Sequence, residues 1–412
     1  MAGFSVGWRQ VACCFALLAC DGFVASTYSI IAVPLGHAFH PSRMVLMLSL
    51  TVMAAVTGVL ASAFGPMMDR ASMRKVMAAG AVLISAGYAA LSLTTSFTQV
   101  LVIFGLLMAP ANVLMGPLAT TVLLSRWFTR KRGAAIGLAI SGIGMGTILF
   151  PPVLQMLFGH FAWRAAFQLL GLLLACVTLP AALLVVDHPC ERGLYPDGAT
   201  EDLYERYSSI ARLSHRAVLT DTTFWLTAVI FSVVLSGTKG MIANLAPMAV
   251  DVGVTARNAA MLVSIYGIAI FAAKLSFAVI ADRVNSRTLL LACLAGFAVG
   301  MACLTRAFAG FWMIAAGITC IGIASGIMVP LQSYLIPRIF GRHCVGQVYG
   351  MMSTVMLVFS LVTPPLFGRI YDMTKSYAAV DIVFAVLTVM AMAAVPFIRL
   401  HTRDEMIAVL AE

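Results

Sequence analysis

A short polar motif occurs twice in this chain, each time wedged between long apolar runs. Residues 65–75 read GPMMDRASMRK, with Asp69-Arg70 followed by Arg74-Lys75. Residues 278–287 read AVIADRVNSR, with Asp282-Arg283 and Arg287 at the same offsets. One acidic–basic loop between hydrophobic segments constrains little. Its repetition means that two homologous halves of a membrane protein present the same loop to the same side of a bilayer. Repeats related by an axis along the membrane normal are a ground plan of secondary transporters.

The residue balance requires a bilayer. Of the 412 residues 61% are hydrophobic and 10% charged, whereas a soluble domain is roughly 45–50% apolar and about 25% charged. A spanning helix needs about 20 largely apolar residues. Segments of that kind are expected at 10–36, 44–68, 75–95, 98–125, 133–159 and 164–186, then at 222–249, 258–281, 288–307, 310–337, 343–370 and 378–398. The expected fold is therefore an all-α membrane protein of twelve transmembrane helices in two pseudo-symmetric six-helix halves. Residues 1–186 form the first half, 187–221 a polar linker and 222–412 the second half. Within the linker Leu203, Tyr207, Ile210 and Leu213 stand at helical spacing, which predicts a short surface helix.

The net charge of +10 does not point to nucleic acid, because the basic residues sit in short loops between apolar segments. With both termini in the cytoplasm, 18 of the 26 Lys and Arg fall in cytoplasmic loops or tails. Arg43, Arg164, Arg257, Arg306, Arg369 and Lys375 fall outside, and Lys239 and Lys274 lie inside spans. The positive-inside rule fixes that orientation. The nine cysteines are scattered without CxxC or metal-ligand spacing, so neither a metal nor a cofactor is expected. The apolar run after Trp8 and Arg9 lacks a small-residue cleavage site and reads as a retained first helix.

A second repeat supports the two halves. Gly133, Gly137 and Pro151-Pro152 in the fifth span recur as Gly346, Gly350 and Pro364-Pro365 in the eleventh. Small residues let helices approach closely, and prolines loosen the backbone ladder. The SGIGMG run at 141–146 mimics a dinucleotide fingerprint but follows no strand, so it reads as helix packing.

These residues resemble a known family. GPMMDRASMRK resembles the loop between helices 2 and 3 of the major facilitator superfamily, and ADRVNSR its echo between helices 8 and 9. SRWFTRKRGAAIGLAISGIGMGTILFPPVLQ with WRAAF at 163–167, ERGLYPDG at 191–198, and the stretch from FGRHCVGQVYG to GRIYDMTKSY resemble its bacterial monocarboxylate-porter and oxalate/formate-exchanger branch. That resemblance implies a transporter, not an enzyme, lodged in the inner (plasma) membrane, moving a small organic anion by alternating access. In the branch an arginine of helix 8, eight residues before the Asp-Arg pair, holds the substrate carboxylate. The matching position here is Lys274, which keeps the charge but loses the planar fork. Mammalian relatives also carry a lysine in helix 1 and an acid beside the helix 8 arginine. This chain has Asp21 in helix 1 and no acid near Lys274.

Three ionisable residues are expected well inside spans: Asp21, Lys239 and Lys274. Each costs roughly 2.5–3.5 kcal/mol at mid-membrane on insertion scales, so such residues mark function or pair with one another. Asp21 and Lys239 occupy repeat-equivalent helices at similar depth, and an ion pair bridging the halves is expected. Two readings of it stand: a permanent clamp, or a carboxylate that takes a proton while substrate competes for the lysine. Two cations against one carboxylate favour an anionic cargo. Through the resemblance, helices 1, 4, 7 and 10 line the cavity, which makes Tyr28, Asn112, Asn244, Gln332 and Tyr334 further candidates for substrate contact or interhelical hydrogen bonding.

Asp69, Arg70, Arg74, Asp282, Arg283 and Arg287 are assigned to gating. Asp69 can accept hydrogen bonds from a neighbouring helix N-terminus, and the arginines can reach acidic or carbonyl partners. Such contacts hold when the inner side is closed and break when it opens. Two other functions remain open: proton-driven transport of another solute, such as a siderophore, peptide or drug, and a non-transporting receptor on a transporter scaffold. One copy completes the plan, so a monomer in lipid is expected, with protons as possible co-substrate.

Overall fold

The computed structural model describes residues 2–40, 43–196, 215–305, 310–341, 344–374 and 376–398. The expected surface helix at 203–213, together with Arg306 and Lys375, lies outside them. So do the side chains of Tyr28, Arg43 and Arg257.

Six long helices occupy the first half: α1 Ala2–Phe39, α2 Arg43–Met68, α3 Met73–Leu91, α4 Phe97–Trp127, α5 Arg132–His160 and α6 Trp163–Leu183. Six follow in the second: α7 Thr222–Asp251, α8 Ala256–Ile280, α9 Ser286–Leu304, α10 Phe311–Ile339, α11 Val345–Thr374 and α12 Ala378–Ala394. Among the described residues, eleven stretches are long and apolar enough to cross a membrane. With the 38-residue α1 they make the twelve spans of a multi-pass membrane protein. Contacts divide the chain into two compact units, Met1–Arg212 with Phe340–Met351, and Leu213–Ile339 with Met352–Glu412.

The loop motif starts a helix the same way in both halves. Three residues after Asp69, Ser72 caps α3, its side chain accepting from the Lys75 amide at 3.4 Å. Three residues after Asp282, Asn285 caps α9, accepting from the Arg287 amide at 2.9 Å. A capping oxygen satisfies an amide that the first helical turn leaves without a partner.

Lipid offers no hydrophobic force to drive helices together, so contact relies on small residues and close backbones. The SGIGMG run does this on α5. A Cβ at Gly142 or Gly146 would overlap the carbonyls of Phe15 and Ala19 on α1, and one at Gly22 would crowd Ile143. In the second unit Gly326 of α10 seats against Ile270 and Ala273 of α8, and Gly300 of α9 against Gly317 and Ile321 of α10. Helix α12 has the inside-out pattern of a membrane protein. It buries Asp381 and Thr388 and exposes Ile382, Val383, Val386, Val389 and Met390.

One span departs from the uniform helix expected at 98–125. Helix α4 carries a π-helical turn at Phe104–Met108 and then breaks at Gly116. Pro117 has no amide to offer the carbonyl four residues back, so the ladder stops there and restarts as the half-helix Pro117–Trp127.

Candidate functional site

The first unit places Asp21 at the break in α4. Its side chain is 6% exposed, and Oδ1 accepts a 2.7 Å hydrogen bond from Nδ2 of Asn112. A Cβ at Gly116 would lie 3.4 Å from Asp21 Oδ2 and would overlap the Asn112 carbonyl. Glycine therefore lets the chain turn and the carboxylate approach at one point. The half-helix Pro117–Trp127 opens beside that carboxylate, and a helix N-terminus favours negative charge.

The first loop motif is also fixed within this unit. Asp69 Oδ1 accepts from the Gly346 amide at 2.8 Å and Oδ2 from the Gln347 amide at 3.0 Å. Both amides belong to the first turn of α11, so a carboxylate meets two donors at a helix N-terminus. Glycines bring the backbones close enough: a Cβ on Gly65 or Gly346 would overlap the other's carbonyl, and one on Gly350 that of Ala61.

Arg126 holds the loop from behind. At the end of α4, its Nη2 donates to the carbonyls of Met68 (2.7 Å) and Asp69 (3.3 Å), and Nη1 to that of Ala71 at 3.4 Å. It thereby satisfies carbonyls that the end of α2 leaves open. The Arg74 amide donates to Asp187 Oδ1 at 2.8 Å, whereas the exposed Arg70 and Arg74 guanidinium groups make no hydrogen bond among the described residues. Arg126, which the sequence did not single out, is the arginine that reaches the loop carbonyls. The second loop leaves Asp282 and Arg283 exposed, and Arg287 Nη2 donates to the Ile398 carbonyl at 3.1 Å.

The second unit holds both lysines. Lys274 on α8 is 6% exposed, and its amine has no hydrogen-bond or ion-pair partner among the described residues. Lys239 is exposed in mid-α7 and donates to Ser360 Oγ on α11 at 3.2 Å. Asn244 donates to the Gly240 carbonyl of its own helix at 2.8 Å and accepts from the Tyr377 hydroxyl at 3.4 Å. Gln332 and Tyr334 are each 2% exposed. Gln332 Nε2 meets the Met356 sulfur at 3.2 Å. The Tyr334 ring packs edge-on to Phe277, with the Arg338 guanidinium 4.6 Å above it.

Sequence reasoning counted three ionisable groups inside the spans, and the structure adds a fourth. Asp381 is 1% exposed, and neither carboxylate oxygen has a hydrogen-bond partner among the described residues. It stands inside the span expected at 378–398 but was not counted among the ionisable groups there. The signals available for the missed features were the Gly116-Pro117 pair, Arg126 closing a span, and an acid inside 378–398.

The sequence matches the family profile described as Major Facilitator Superfamily over residues 14–242 and 229–408. It is 27% identical over 399 residues to monocarboxylate transporter 12-B of Danio rerio, spanning 90% of this chain and 83% of that protein. It is 25% identical over 382 residues to the uncharacterized MFS-type transporter YcxA of Bacillus subtilis, spanning 88% of each. The fold superposes on the proton:xylose symporter XylE with a TM-score of 0.79 at 14% identity, covering 99% of this chain and 100% of that one. Named monocarboxylate transporters among the relatives agree with the branch that the motifs resemble, and the proteins matched are transporters, not enzymes. The chain belongs to the Major Facilitator Superfamily.

Proposed function

We propose that this secondary transporter moves a small, monocarboxylate-like organic anion across the inner membrane by alternating access, coupled to protons or by anion exchange. The observation that carries the reading is Lys274, a buried amine on a membrane-spanning helix without a protein partner among the described residues. An unpaired cation at that depth is expensive, and an anionic cargo removes the cost. Lysine acts as a point charge on a flexible stem, which suits one carboxylate in several orientations. The names of the monocarboxylate transporters that the chain resembles support the same cargo class.

Lys239 is the second cationic group, since an exposed amine in the middle of a spanning helix belongs to a water-filled path. Asp21, held by Asn112 at the α4 break, is the proton-coupling carboxylate of the first unit. Tyr28 and Asn244 remain candidates for substrate contact, while the burial of Gln332 and Tyr334 favours packing over contact. Asp69, steadied by Arg126, is the inner gate, with Asp282, Arg283 and Arg287 as its counterpart. Both termini face the cytoplasm on the charge distribution, and the working unit is a monomer in lipid.

Uptake of radiolabelled short-chain carboxylates into proteoliposomes, with and without an imposed pH gradient, tests this reading. Wild-type protein accumulates the acid, Lys274→Arg retains part of the flux, and Lys274→Ala loses it. Carboxylate flux that is intact in Lys274→Ala refutes it.

A further inference from the structure

Asp381 has no role in the mechanism above, yet it is the most anomalous polar group in the second unit. It is 1% exposed and both side-chain oxygens lack a hydrogen-bond partner among the described residues. It lies on the buried stripe of α12, between two contacts that fix its level. One turn before it, the Tyr377 hydroxyl donates to Asn244 of α7 at 3.4 Å. On its other side, Phe384 fills the space that a Cβ at Gly237 of α7 would occupy, next to Phe297 of α9. Asp381 is therefore sealed into the seam of α12 with α7 and α9, roughly 6 Å along the helix from the polar Asn244–Tyr377 pair.

Among the described residues no cation pairs with it. On α7 the described charged side chain is Lys239, engaged with Ser360 of α11. On α9 it is Arg287, at the far end, donating to the Ile398 carbonyl. The other titratable groups there are Cys293 and Cys303 of α9, both free thiols, and α12 itself is preceded by Tyr377. Helix α11, which meets this stretch through Tyr371–Tyr377 and Phe367–Phe384, carries Arg369 with its side chain exposed. An ionised carboxylate in such a place would lose its hydration and gain nothing in return, which is prohibitive compared with binding a proton.

We propose that Asp381 is a proton-binding residue of the second unit, held as the undissociated acid in the α7–α9–α12 seam and exchanging its proton with water past Asn244 and Tyr377 when the seam loosens. The O–H bond on the carboxyl breaks to a water at that polar mouth, and the same bond re-forms as the seam closes. The site is separate from Asp21 in the first unit. It stands on the transporter reading only in that a moving seam gives the proton somewhere to go, not on which anion is carried.

Infrared difference spectroscopy of the full-length protein in lipid nanodiscs, between neutral and alkaline pH, tests this. The wild type shows the carbonyl stretch of an undissociated carboxylic acid at neutral pH. That band is lost in Asp381→Asn, displaced in Asp381→Glu, and kept in Asp21→Asn. A band that neither vanishes in Asp381→Asn nor moves in Asp381→Glu overturns the proposal, whatever transport shows. A band lost only in Asp21→Asn also overturns it and leaves the coupling role of Asp21 standing.

Discussion

The carboxylate of Asp69 accepts the backbone amide of Gly346 at 2.8 Å. The first copy of the loop motif is thus bonded to the opening turn of a helix more than half the chain away. Charge at a helix N-terminus is worth roughly 0.3–1 kcal/mol, and up to about 2 kcal/mol where partly buried. A contact of that size is strong enough to bias two conformations and weak enough to break, as the proposed inner gate requires.

Asp69→Asn keeps an acceptor but removes the charge. Loss of about 1–2 kcal/mol from the closed inner gate should slow net transport about five- to thirtyfold. The concentration giving half-maximal uptake from the outside should change little. Initial-rate uptake at varied substrate checks this, and a large loss of apparent affinity with an unchanged maximal rate would contradict the gating role.

Gly346→Ala tests the same contact by shape instead of charge. Its Cβ would overlap the Gly65 carbonyl, and overpacking of this kind costs about 1–3 kcal/mol. The melting temperature should fall and transport should slow. Gly253→Ala serves as a control for strain at a glycine with open space around it, because its φ of 86° disfavours a side chain without any such contact. Equal loss of transport in both variants would mean that close approach of α2 and α11 is not what matters at Gly346.

Asp21 and Asn112 should behave as a coupled pair. A hydrogen bond to a charged group contributes about 1.5–3 kcal/mol. A double-mutant cycle on thermal stability with Asp21→Ala, Asn112→Ala and the double variant should give a coupling energy in that range. Additive effects would show that the 2.7 Å contact is energetically idle.

Arg126→Ala removes the donors that hold the Met68, Asp69 and Ala71 carbonyls. It should resemble Asp69→Asn in transport while adding a loss of stability of about 1–3 kcal/mol. Arg126→Lys should rescue only part, because one ammonium cannot reproduce the planar fork. Full rescue by lysine would reduce Arg126 to a positive charge.

The spans were legible because bilayer thickness imposes a length and an apolarity that any window reveals, and the repeated loop fixed the two-fold plan. The shared cap offset, Ser72 after Asp69 and Asn285 after Asp282, lay in the same motif. Partners were not legible. A helix that is apolar all round shows no preferred face, so nothing in the run 98–125 told which side of α4 meets Asp21. The Gly116-Pro117 break was written in the residues but masked by the hydrophobicity around it. Asp381 stood inside the run 378–398, but position along a span says nothing about lateral burial. Arg126 counted as topology, and only the fold shows the carbonyls it reaches.

The most direct test of the central claim, that Lys274 anchors a carboxylate, is ligand-induced thermal stabilisation of purified protein by small mono-, di- and aromatic carboxylates, with sugars and cations as controls. A ligand at 100 times its dissociation constant stabilises by about 2.7 kcal/mol. Stabilisation by one group of carboxylates in the wild type, lost in Lys274→Ala, is the predicted result. Stabilisation that persists undiminished in Lys274→Ala, or that only the sugars or cations produce, would contradict it.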